Sequence, residues 1–218
     1  MEASAQNVAN ASTPGFKRQV SFSQAVDTAS QRDARPVEVR LVSDFAQGQL
    51  TQTGKPLDLA IFGPGLFKLR DGRAYAYSRG GSFARGTDGT LSDAAGRILQ
   101  QSGGGDATVS ADSFEVLGDG TVLENGLPTG QIGLFEARDN SALSPLGGSA
   151  FAAPDSAMGE AGRSVIRQGF VENSNVSMSD EMVAMMTAVR QAEGGARLVQ
   201  VYDQLLGQAV NTFSRSGK

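Results

Sequence analysis

Toward the C-terminus, apolar residues recur in steps of three and four: Met182, Met185, Val189, Ala192, Ala196, Val199, Leu206, Val210 and Phe213. Asp203 is the one polar member of the series. This spacing places the set on one helical face, sustained over several heptads. Ser179 reads as an N-cap, with Asp180 and Glu181 in the first turn, where the helix dipole favours negative charge. A helix from there to Phe213 is roughly 50 Å long at about 1.5 Å per residue. Gly194-Gly195 interrupts it and lowers helix propensity by about 1 kcal/mol per glycine, which predicts a bend or a close helix approach. Seven of the seam residues are larger than alanine. Burying them contributes roughly 10–20 kcal/mol gross as an upper bound, so the stripe calls for a cover. Other chains, or the remainder of this one, supply it; both readings stand at this level.

Residues 57–137 carry a different pattern. Short apolar runs alternate with Asp71-Gly72, Asp88-Gly89, Asp119-Gly120 and Asn125-Gly126. Such dipeptides suit tight hairpin turns, and eight or so short strands at this spacing predict a compact antiparallel β domain. Upstream, Val37, Val39 and Leu41 alternate with charged residues, a half-buried strand pattern. Residues 43–53 read as a polar connection. Residues 141–162, rich in Ala, Gly, Ser and Pro, read as a loop or hinge, and residues 165–171 as extended chain. The first eleven residues suit two to three helical turns, ended by Thr13-Pro14-Gly15. Four regions follow: an N-terminal helical, Asn-rich segment (1–30), an extended linker with a first strand (31–56), a β-rich domain (57–171) and a long C-terminal helix (172–218). The expected class is α+β.

Composition narrows the chemistry. The 218 residues have a formal net charge of −4 and contain neither Cys nor His. Disulfides, thiol nucleophiles, thiolate metal sites and any Ser-His-Asp arrangement are therefore excluded. No basic stretch offers a nucleic-acid footprint. No apolar run is long enough for a transmembrane helix, and the N-terminus lacks the pattern of a secretory signal. Gly63-Pro64-Gly65 is a weak phosphate-loop candidate, because Pro64 removes an amide donor, and a β-turn is the better reading. Asp112 and Glu115 read as solvated carboxylates. No catalytic, cofactor or metal site is expected.

Several blocks point to a family. The run from Asn7 to Arg18 includes Asn7, Ala9, Asn10, Pro14, Gly15 and Phe16, and resembles the N-terminal signature of flagellar basal-body rod and hook proteins. The run from Leu57 to Phe67, with Gly63 and Gly65, resembles the family's acidic-apolar strand and Gly-x-Gly turn. Tyr77-Ser78-Arg79-Gly80-Gly81-Ser82-Phe83 and Asp88-Gly89-Thr90-Leu91 are similar to its strand-turn blocks. The run from Gly169 to Val176, with Asn175, followed by Glu181-Met182-Val183, resembles the entry to its C-terminal helix.

The resemblance implies N- and C-terminal helices paired in a coiled-coil-like inner layer around a central antiparallel β domain. It implies a structural subunit of the proximal rod, with a distal-rod member as the alternative. It also implies copies of itself and other rod subunits as partners, export through the flagellar type III apparatus without a cleaved signal, and a place in the periplasm-spanning rod. No nucleic acid, small-molecule substrate, cofactor or stable membrane insertion is implied. Members usually carry a longer helix ahead of the Asn-rich block, whereas Met1 to Gln6 precede it here. This implies a trimmed start, an upstream start codon or a short member. A β-rich binding module with a helical tail is the competing reading, and a mainly helical export chaperone is the third.

Overall fold

The computed structural model describes residues 2–23 and 39–216, with side chains omitted at 22–23, 39–40 and 208–216. The chain opens with α1 (Glu2–Ala9), then β1 (Gln19–Ser23), β2 (Val39–Ser43) and β3 (Leu50–Gln52). The main β body follows with β4 (Leu59–Phe62), β5 (Leu66–Asp71), β6 (Ala74–Ser78), β7 (Ala84–Arg85), β8 (Leu91–Ser92), β9 (Ile98–Leu99), β10 (Phe114–Val116), β11 (Thr121–Glu124) and β12 (Leu127–Gln131). It is completed by β13 (Leu134–Ala137), β14 (Ser144–Gly147), β15 (Ala150–Ala152), β16 (Met158–Glu160), β17 (Val165–Gln168) and β18 (Phe170–Glu172), before α2 (Met178–Ser216) ends the described chain.

All named strand pairs are antiparallel. The largest sheet runs β14-β15-β6-β5-β9-β8-β7, with β13 joining β5 and β16. β5 is its spine. Side chains alternate across a strand, so Phe67 and Leu69 enter one apolar cluster with Leu59, Ile61, Phe83, Leu91 and Leu99. Leu66 enters a second cluster with Tyr77, Leu143, Phe151 and Met158. Phe67 and Phe83 meet edge to face at 5.4 Å. The last two strands return to the beginning of the body: β17 pairs with β4 and β18 with β3.

The expected class and helix pairing need correction. Among the described residues the chain is mostly β, in several antiparallel sheets, with one helix near each end, and these two helices do not form a coiled-coil layer. α1 has 8 residues against 39 in α2. Two turns meet only the first turns of the long helix, where Asn7 bonds to Glu181 and Val8 lines a groove with Met182, Met185, Met186 and Val189.

Three local readings also change. Residues 43–53 contain β3, whose partner β18 is remote in sequence, so no local pattern announces it. Residues 141–162 form β14, β15 and β16 with two short 3₁₀ turns. Buried Leu143, just ahead of β14, with Phe151 in β15 and Met158 in β16, anchors that stretch amid turn-forming residues. Ser177, not Ser179, caps α2 by accepting from the Asp180 amide at 3.4 Å. The helix then continues unbroken through Gly194-Gly195. The strand signal at Val37 lies outside the described residues, while β2 takes Val39 and Leu41.

Gly81 shows how tightly the body closes. A Cβ built there falls 1.7 Å from the Leu59 carbonyl oxygen, and the Leu59 amide donates to the Gly81 carbonyl at 2.8 Å. Gly81→Ala forces these backbones apart. The expected loss is about 1–3 kcal/mol or more, read as a lower urea midpoint with unchanged slope.

Candidate assembly site

Where the chain ends meet the β body, two polar locks are built from the motif blocks. The first is an ion cluster. Lys17, Arg79 and Glu172 are at most 3% exposed. Lys17 Nζ donates to Glu172 Oε1 at 2.6 Å and to the Ala46 carbonyl at 2.7 Å. Arg79 Nε and Nη2 donate to Glu172 Oε2 at 2.9 and 2.6 Å. The Gly48 amide donates to Glu172 Oε1 at 2.8 Å. Arg79 Nη1 donates to the Gly63 and Gly65 carbonyls, each at 2.5 Å. The Gly-x-Gly turn therefore cradles a guanidinium with its carbonyls, the reverse of a phosphate loop. Burial pushes the Lys17 ammonium below the ordinary lysine range, against the opposing pull of its hydrogen bond to Glu172.

Backbone approach makes this packing possible. Gly15 has φ +72°, and a Cβ on it would lie 2.3 Å from the Gly80 nitrogen. Its amide donates to the Glu172 carbonyl at 2.7 Å. The Thr-Pro-Gly-Phe turn is thus wedged against the Arg79-Gly80 backbone, with Phe16 buried beside it.

The second lock ties α1 to α2. Buried Asn7 exchanges two hydrogen bonds with the Gln19 backbone: Nδ2 donates to its carbonyl at 2.8 Å, and Oδ1 accepts from its amide at 2.7 Å. Nδ2 also donates to Glu181 Oε1 at 3.1 Å, and Arg18 Nε donates to the same oxygen at 2.6 Å. Asn175 Oδ1 accepts from the Arg18 amide at 2.7 Å, while its Nδ2 donates to the Asp44 and Ala46 carbonyls. Asn7 and Asn175 each donate two bonds and accept one, which a carboxamide supplies and a hydroxyl, with its single donor, does not.

Beyond these locks α2 is bare. Glu181 is buried, Met185 and Ala188 are half-buried, and every residue of 189–207 is exposed. Of the seam residues, Met182, Val189, Val199 and Leu206 are exposed, as are Ala192, Ala196 and Asp203; the side chains of Val210 and Phe213 lie outside the described set. The seam pattern missed Leu198, Val201, Tyr202 and Leu205, which are equally exposed. Met182, Met185, Met186 and Val189 join Val8 of α1 in an apolar groove of about 610 Å³, bordered by Arg190 and Glu193. Among the signature residues, Asn7, Gly15, Phe16, Gly63, Gly65 and Asn175 converge on the two locks. Gly169 lies between β17 and β18 and donates its amide to the Asp58 carbonyl at 2.7 Å. Asn10 stays at its own helix end, bonded to the Gln6 carbonyl, and Ala9 and Pro14 are exposed.

Sequence reading assigned no role to the charged members Lys17, Arg18, Arg79 and Glu172, and gave Glu181 only a place in the first helical turn. Each stands inside a quoted motif block, and that placement was the available signal. Among the described residues, no group of acidic side chains could hold a metal ion, and no helix is long and apolar enough to cross a membrane.

The described chain is a mostly-β body followed by a long C-terminal helix that leaves apolar side chains exposed. Comparison with known proteins identifies its relatives. Residues 167–212 match the family described as flagellar basal body rod FlgEFG protein C-terminal. The chain is 30% identical over 221 residues to the flagellar basal-body rod protein FlgF of Caulobacter vibrioides, covering 97% of this chain and 90% of that protein. It is 28% identical over 240 residues to FlgG of Bacillus subtilis (94% and 90% covered), and 29% identical over 231 residues to FlgF of Salmonella typhimurium (97% and 91% covered). The chain belongs to the flagellar basal-body rod protein family.

Burial by itself raises the Glu181 carboxyl, but hydrogen bonds from Arg18, Ser4 and Asn7 outweigh it and hold the group below the ordinary glutamate range. A folded value below the unfolded one contributes stability above about pH 4.3, and this is lost as pH falls through the folded value. Hydrogen exchange is expected to show α1 loosening from α2 across that acid window. Glu181→Gln is expected to loosen α1 already at neutral pH and to flatten the pH dependence; an unchanged profile would refute the lock.

Proposed function

We propose that this chain is a structural subunit of the flagellar basal-body rod, with no enzymatic role, and that it assembles through the exposed apolar surface of α2 and the adjoining groove. The carrying observation is a long helix that concentrates eleven exposed large apolar residues, among them Met182, Leu198, Tyr202 and Leu205, while the rest of the described chain spreads eight across separate strands and turns. Exposed apolar side chains in this number on one helix mark interaction surfaces.

The β body supports the same reading from the other side. Edge strands β12 and β14 carry Pro128 and Pro145, which obstruct strand addition, so further sheet pairing is blunted there. At about 100° per residue, Met182, Met186 and Val189 lie on roughly the opposite side of α2 from Leu198, Tyr202 and Leu205. Two apolar faces pointing apart favour a head-to-tail contact, which builds open polymers rather than closed dimers.

The partners in this reading are copies of the chain and other rod subunits, delivered by the flagellar type III export apparatus. A proximal-rod position is the first reading, on the single modest β body. The match to FlgG at nearly the same identity favours a distal-rod position as the second.

Leu198→Glu with Leu205→Glu tests the surface. Both residues are exposed, so urea stability is expected to stay within about 0.5 kcal/mol. A deletion strain carrying the variant is expected to lose motility and to stop rod growth, while the unaltered chain restores both. Normal basal bodies with the folded variant would overturn the assignment of α2 as the assembly surface.

A further inference from the structure

We infer that Glu172 is a latch that makes closure of the β body and seating of both chain ends a single event, possible only once the C-terminal strand pair is in place. The inference does not depend on the rod reading.

Three observations carry it. First, chain order is inverted at the joint. β3 and β4 form early in the sequence, yet their partners β18 and β17 come at its far end, with Leu50 opposite Glu172 and Leu59 opposite Gln168. Second, one carboxylate serves two buried cations from distant segments, Lys17 at a separation of 155 residues and Arg79 at 93. The remaining partners of these cations are the neutral carbonyls of Ala46, Ile61, Gly63 and Gly65. Asp44 is the other acidic group acting on Lys17, and it is exposed. Third, the backbone repeats the arrangement, since the Gly15 amide donates to the carbonyl of the same Glu172.

Without Glu172 in place, the segments around 15–18, 46–48 and 61–65 can pack against Arg79 only by burying two positive charges with no counter-charge, which is strongly unfavourable. A chain made or threaded N-terminus first therefore holds these segments open until its last strands are free to join. The N-terminal turn, the Gly-x-Gly turn and the path into α2 then order together.

The test uses the full-length protein and hydrogen exchange read by peptide. Glu172→Gln keeps the size of the side chain and removes its charge. It is expected to raise exchange at least a hundredfold in residues 14–18, 46–49 and 59–66 together, and to lower the urea midpoint in one transition. Glu181→Gln, in the neighbouring lock, is expected to raise exchange only in α1 and β1. The double variant Lys17→Met with Glu172→Gln returns the cluster to the net charge of the original and is expected to regain much of the lost protection. Increased exchange confined to residues 170–173 would overturn the latch. If Glu172→Gln alone does not fold, the double variant decides: recovery of a folded protein supports the latch, and a double variant no better than the single overturns it.

Discussion

The Glu172 carboxylate between Lys17 and Arg79 is the contact on which the remaining architecture turns. Its oxygens are divided, one toward the lysine and the Gly48 amide, the other toward the guanidinium. Breaking a buried ion pair on one side costs about 3–5 kcal/mol in general, because an unpaired charge is left in a place water cannot reach. Here one carboxylate answers for two such charges. Lys17 holds the N-terminal turn, Arg79 holds the Gly63-Pro64-Gly65 turn, and Glu172 stands six residues before α2 begins. The direction in which α2 leaves the body is therefore set by groups that are almost completely desolvated.

Glu181 extends this control into the helix itself. Placed in the first turn, its carboxylate complements the helix dipole while accepting from Asn7 and Arg18. The two locks share the short segment 15–19, so the chain beginning and the start of α2 are held as one unit. Past that unit the physics changes. Residues 189–207 touch nothing that buries them, and the apolar side chains there remain in water. In the proposed reading, that unit fixes the orientation of α2, and the exposed helix beyond it carries the surface that other subunits cover.

The division between local and tertiary information can be followed residue by residue. The four Asp-Gly and Asn-Gly turns were legible because their conformational demand is local, and each falls between strands of the body. α2 was legible for the same reason, from spacing and an acidic first turn. β3 was not, because its partner lies at the other end of the chain. β14 to β16 were not, because Leu143, Phe151 and Met158 gain their meaning only from Leu66 and Tyr77 across the cluster. The coiled-coil expectation failed because the 8 residues of α1 reach only the first turns of α2, through the Asn7–Glu181 bond and the Val8 groove, and residues 189–207 stay exposed.

By itself, the sequence determined the turns, the long helix, the absence of thiol and imidazole chemistry, and the motif blocks that place the chain in its family. These depend on residue identity and short-range spacing. Tertiary structure alone decided why the blocks contain the residues they do. Lys17, Arg79 and Glu172 are ordinary charged residues in sequence, and become a buried cluster only when segments up to 155 positions apart are brought together. It also decided which apolar residues remain uncovered on α2, since exposure is a property of what lies opposite a side chain, and no local pattern encodes that.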